Sequence, residues 1–248
     1  MSNNYSAPNA TLVETNESGG SLQAGIDGDY SIELADILSE AWQKTKGAKR
    51  YILGAGILMY IIVMVAVAIL TTVTLLITGT DPESGSGMGA AMLIQLIIQF
   101  AMMAVMLPFS AGIFVMCLKQ VQGQQPEFGD LFSCFNLTGK LLLTMILMYI
   151  MLFIGYLLFV IPGIYLNFAY MLAIPLIIDR DMGPWEALET SRKAITKHWL
   201  SVFLFFIVLT IIMIVSMIPL GLGLIWSVPL MAIAMAVLYR EVFGITRY

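Results

Sequence analysis

Charged side chains are scarce in this chain: Asp, Glu, Lys and Arg make up 11% of its 248 residues, against roughly 25% in an ordinary soluble domain. A surface so poor in charge cannot face water on every side, so lipid must solvate most of it. Histidine is rarer still. His198 stands alone, which excludes a metal site or a catalytic triad built on several histidines. Cys117 and Cys134 are too few for a disulfide framework or a thiolate cage. The net charge of −4 offers no basic field to recruit nucleic acid. The chain also opens without the basic stretch and short apolar run of a cleaved signal peptide. Met1 to Tyr30 is instead rich in Asn, Ser, Gly and acidic residues. Residues 1–30 are expected to form a disordered cytoplasmic tail, leaving the first apolar run to act as the insertion signal.

What the chain has is apolar length. Hydrophobic residues make up 59% of it and the mean hydropathy is +0.90. Six runs read as membrane spans, at about 51–77, 88–118, 141–161, 164–178, 199–219 and 224–239. The first holds no charge over 27 residues; at 1.5 Å per residue that is roughly 40 Å, enough to cross a ~30 Å hydrocarbon core with tilt. Pro108 interrupts the second run and is expected to kink it. Pro162-Gly163 reads as a tight external turn. The fourth run is short and carries Pro175, so it must tilt or thin the bilayer. Eighteen methionines suit adaptable packing between helices.

The polar stretches between runs are amphipathic. In 31–46, Leu34, Ile37, Leu38, Ala41, Trp42 and Thr45 share one helical face while Glu33, Asp36, Glu40 and Lys44 take the other. Residues 128–135 and 184–197 read similarly. The predicted fold is therefore an all-α integral membrane protein over residues 31–248. Six transmembrane helices form three hairpins, with short amphipathic interfacial helices on the cytoplasmic side. Pro108, Pro175 and Pro229 recur in the second helix of each hairpin, and Pro108 and Pro229 precede Lys119 and Arg240 by the same eleven residues. A threefold internal repeat fits that spacing.

With both termini in the cytoplasm, all twelve Lys and Arg residues fall on the cytoplasmic side, as the positive-inside bias of a cell inner membrane requires. Trp42, Trp185, Trp199, Tyr51 and Tyr239 lie at predicted boundaries; Trp226 fits only at the external interface.

The spans contain no Asp, Glu, Lys, Arg or His, whereas ion-coupled carriers need such groups. Gln95, Gln99 and Asn167 are the intramembrane candidates for a polar pocket or path. Their plainer role is hydrogen bonding between helices, worth about 0.6–2 kcal/mol per contact. Ala232 and Ala236 suit close helix approach. No catalytic, cofactor or metal residues emerge. Asp179 and Asp181 flank Arg180 in a position to cap the next helix. Ser191 can share a helical face with His198 but lacks an orienting acid. Gly221-Leu-Gly-Leu has no following Lys and reads as a turn rather than a phosphate loop.

The second half carries a resemblance. Ile161-Pro-Gly-Ile-Tyr-Leu166, Ala173-Ile-Pro-Leu-Ile-Ile-Asp179, Glu186-Ala-Leu-Glu-Thr-Ser-Arg-Lys193 and His198-Trp199 resemble the YciC-like bacterial membrane proteins. The same pattern occurs in the membrane domain attached to some glycerophosphoryl diester phosphodiesterases. Ala41-Trp42 and the following Lys-Gly look like that group's opening. The resemblance implies an inner-membrane protein of about six helices. Pro162, Gly163, Asp179, Ala187, Leu188 and Ser191 occupy its motif positions, and a structural role is expected of them. It does not imply phosphodiesterase activity, because the chain has no His, Glu and Asp cluster for the required metal.

The leading expectation is a non-enzymatic scaffold or accessory component that binds membrane lipids and other envelope proteins. The alternative is a channel or carrier for an uncharged or amphipathic solute, resting on the kinked helices and on Gln95, Gln99 and Asn167.

Overall fold

The computed structural model describes residues 19–78 and 88–248. Residues 1–18 of the expected tail and the expected loop at 79–87 lie outside the described residues. Among the described residues nine α-helices follow one another: α1 Leu22–Asp27, α2 Leu34–Thr78, α3 Met88–Val121, α4 Thr138–Leu158, α5 Val160–Ala169, α6 Ala173–Arg180, α7 Pro184–Lys197, α8 Trp199–Met217 and α9 Leu224–Phe243. Two short 3-10 turns, Phe128–Phe132 and Phe135–Leu137, lead into α4. No strand occurs among the described residues. Six helical stretches among the described residues are long and apolar enough to cross a membrane, with α5 and α6 together making the fourth. The chain is a multi-pass membrane protein.

The boundaries differ from the sequence expectation in four places. First, the amphipathic stretch at 31–46 is not a separate element. With no proline between Leu34 and Thr78, the helical hydrogen-bond ladder continues into the first span. The result is one helix of 45 residues, about 67 Å long. Second, a short helix, α1, lies within the expected tail. Ser21 caps α1 by accepting the Ala24 N–H, and Gly28 closes it in the left-handed region.

Third, the turn between α4 and α5 is the single extended residue Phe159, three positions earlier than Pro162-Gly163. Pro162 sits in the first turn of α5, where its missing N–H leaves no bond unmade. Gly163 is buried against the Tyr156 ring, and a Cβ at Gly155 would lie 3.3 Å from the Gly163 Cα. The two glycines therefore let α4 and α5 approach closely. Fourth, Trp226 is not set apart at an external boundary: the Lys49 ammonium lies 3.9 Å from its ring centroid, a cation–π contact.

The core centres on α9. Tyr239, Phe243, Leu238, Val237 and Ala236 are fully buried, and α2, α3, α8 and α1 all pack on this helix. Near the polar end, Phe128 lies against Tyr51, and Phe109 packs edge-on to Phe132 and Phe135. The three 3-10 phenylalanines stay about half exposed. With Arg50 over the Tyr51 ring, they form the kind of aromatic collar that marks a membrane–water boundary. Beyond it α2, α3, α4 and α8 expose almost unbroken apolar surface.

Candidate functional site

The fourth span is broken. α5 ends at Ala169 and α6 begins at Ala173, so Tyr170 to Leu172 interrupt the ladder in a setting where water cannot replace lost bonds. Ser191, on the buried face of α7, fills the gap. Its hydroxyl donates to the Ala169 carbonyl at 2.7 Å and accepts the Leu172 N–H at 3.1 Å. Ser191 is fully buried, with its one donor used and one of its two lone pairs taken. Ala187 and Leu188 line the same buried face of α7, which packs on α4, α5 and α6.

About two turns further on, Asp179 gathers the chain's C-terminal segment. Its carboxylate, fully buried, accepts the Tyr239 hydroxyl at 2.9 Å, the Thr246 N–H at 3.0 Å, the Thr246 hydroxyl at 3.1 Å and the Arg247 N–H at 2.9 Å. Arg180 Nε stands 3.8 Å away, and the same guanidinium donates to the Phe243 carbonyl. Burying a carboxylate is costly unless it is fully hydrogen-bonded; four donors and a neighbouring guanidinium meet that condition. Asp179 therefore clasps α6, α9 and residues 244–248 together.

A second clasp joins α2 to α9. Arg240 holds Glu40 in a two-pronged pair and also reaches Glu241. Lys44 donates to the Val121 carbonyl, and Gln120 donates to the Lys44 carbonyl, tying in the end of α3. Beside this clasp a pocket of about 260 Å³ is lined by Ser31, Glu33, Asp36, Ile37, Glu40, Val237 and Glu241. Its carboxylates do not converge: among the described residues no group of three or more His, Cys, Asp or Glu is placed to hold a metal.

The groups outside the spans are similarly engaged. Asp181, in the left-handed region at the end of α6, pairs with Lys140 at 2.7 Å, and that hydrogen bond holds its carboxyl below the usual range. Glu189 takes a two-pronged bond from Arg192, which likewise lowers it. Tyr30 donates to the Ala194 carbonyl at 2.9 Å and tilts against the His198 ring; burial pushes its hydroxyl up. His198 Nε2 lies 3.0 Å from the Gly28 carbonyl, so these bonds dock α1 and its flanks on the end of α7.

Of the residues singled out from sequence, Asp179, Ser191, Ala187, Leu188 and Gly163 are buried. Gln95, Gln99 and Asn167 are exposed on the outer surface, the first two on α3 and the third on α5. The Ser191 proton goes to Ala169, so His198 is not its base. Tyr239, expected at a membrane boundary, is instead fully buried and bonded to Asp179, and Thr246, the other side-chain partner of Asp179, carried no sequence signal. Nor did the joining of Glu40 and Arg240, 200 positions apart, beyond their opposite charge.

No protein-family model matches the chain, and no solved structure gives a significant match. It is similar to uncharacterised proteins of Mycobacterium bovis and of two Mycobacterium tuberculosis strains. Each is 26% identical over 155 residues, covering 62% of this chain and 47% of the relative. The chain thus spans about half the length of the curated relatives it matches.

Proposed function

We propose that this is a non-enzymatic scaffold or accessory protein of the bacterial inner membrane, with both termini in the cytoplasm, binding lipids and other envelope proteins. The observation that carries this reading is that Asp179 and Ser191, the buried polar groups at the broken span, are held by the chain itself. Asp179 takes four hydrogen bonds from its own chain, and Ser191 bridges two backbone groups at the break. Carriers use such breaks to offer backbone groups to a substrate; here the Ser191 hydroxyl already occupies them. The resemblance to the YciC-like proteins agrees with this reading and adds no activity. Nothing in it calls for nucleic acid.

The alternative, a channel or carrier for an uncharged or amphipathic solute, keeps one supporting observation, the interrupted fourth span itself. Mass spectrometry of the chain extracted with its native membrane patch separates the two. Wild type is compared with the Gln95→Ala/Gln99→Ala/Asn167→Ala variant. The scaffold reading expects a stoichiometric protein of different sequence retained in both. A solute or lipid lost only from the variant, with no such protein present, overturns it in favour of transport.

A further inference from the structure

Polar side chains within the spans mostly satisfy themselves. The hydroxyls of Thr72, Thr74, Thr144, Ser216 and Ser227 each donate to the carbonyl four residues back, which hides them from lipid at no cost to neighbours. Gln95 and Gln99 do not. Both are exposed, and neither amide has a hydrogen-bond partner among the described residues. Both lie within the candidate span Met92–Val121, and an aromatic collar of this kind sits at a membrane–water boundary. Counting from Phe109, which packs on Phe132 and Phe135, Gln99 lies about 15 Å and Gln95 about 21 Å further along α3. Both are inside a ~30 Å hydrocarbon core, and Gln99 is near its centre. Lipid chains offer these amides nothing to bond.

Their neighbours along α3 follow a heptad. Met92, Gln95, Gln99, Met102 and Met106 are spaced three, four, three and four apart, the seam pattern of a left-handed helix pair. Met92 is 62% exposed, Met102 and Met106 are half-buried, and the long thioether side chains adapt to a facing surface. We infer that two copies of this chain pair in the membrane through this stripe of α3, Gln95 against Gln95 and Gln99 against Gln99. Copies inserted in the same orientation and related by a two-fold axis along the membrane normal bring like residues together. An amide is both donor and acceptor, so each like pair closes on itself. Asn167 lies on α5, which packs on α4, α7 and α8, and takes no part in the seam. The inference holds whether the chain scaffolds or transports.

Cysteine cross-linking of the full chain in native membranes tests it, because Cys117 and Cys134 are buried. Met92→Cys sits on the seam. Ile97→Cys, 68% exposed, sits on the opposite side of α3. Mild oxidation should give a disulfide dimer with the first and not the second. Adding Gln95→Leu/Gln99→Leu, changes at home in lipid, should cut the cross-linked fraction at least tenfold, while Asn167→Leu leaves it unchanged. Step-counting by photobleaching in membrane patches should give two copies for wild type and one for the double leucine variant. Equal cross-linking at both positions, insensitivity to the leucines, or single-step bleaching of wild type would each overturn the pairing.

Discussion

Arg240 at the end of α9 holds Glu40 in the first half of α2 through two hydrogen bonds of 2.6 and 2.7 Å, although 200 positions separate them. The Arg240 side chain is 11% exposed and that of Glu40 30%, so water screens the pair only in part. Arg240→Met leaves Glu40 without its main partner. The expected cost is about 1–3 kcal/mol, read as a lower unfolding temperature in detergent. The Glu40→Gln/Arg240→Met double variant should lose less than the sum of the singles, because the two residues act as one unit.

Ser191→Ala removes a single oxygen yet strands two buried backbone groups, the Ala169 carbonyl and the Leu172 N–H. Each unsatisfied group costs about 1–3 kcal/mol. The variant should be destabilised by about 2–4 kcal/mol, with amide exchange accelerated first at Leu172. Unchanged exchange there would show that the bridge does not hold the break.

Asp179→Asn keeps the shape but exchanges an acceptor for a donor. Four donors converge on the native carboxylate, so an NH₂ group must face one of them. The segment from Gly244 to Tyr248 should loosen, with faster exchange at Thr246 and Arg247 and easier carboxypeptidase trimming. Tyr239→Phe removes one donor and should produce a weaker form of the same change.

Stability should fall at both ends of the pH scale for different reasons. Asp181 and Glu189 are held below their usual pKa by Lys140 and Arg192. Their contribution is present above about pH 4 and is lost as pH falls through the lowered folded values. Tyr30 is raised by burial, so its contribution is present below the ordinary tyrosine pKa of about 10 and is lost as pH rises beyond it. Unfolding temperature against pH should therefore show a plateau, with Asp181→Asn softening the acid limb and Tyr30→Phe the alkaline one.

Span existence was legible because long uncharged runs admit no other solvent than lipid, and α8 and α9 begin where their apolar runs begin. Element boundaries were less so. Nothing in Lys46-Gly-Ala-Lys-Arg50 stops a helix, and the expected gap between an interfacial helix and the first span rested on charge alone. The interruption at Tyr170 to Leu172 was not foreseen, because it depends on a serine 19 positions beyond Leu172. Asp179 and Ser191 stood out in sequence, but what they bond is a matter of tertiary contact. Trp226 was assigned by its place in the chain, whereas its partner Lys49 comes from the other end of the fold.

The proposed topology would put the clasps of the six-span body in the cytoplasm and residues 79–87 on the other side of the membrane. Labelling intact cells with a membrane-impermeant maleimide tests that most directly, using Ser84→Cys in the linker and Ser39→Cys on the exposed side of α2. Ser84→Cys should label in intact cells and Ser39→Cys only after the membrane is opened. Labelling of Ser39→Cys from outside, or of both positions from the same side, would contradict the account.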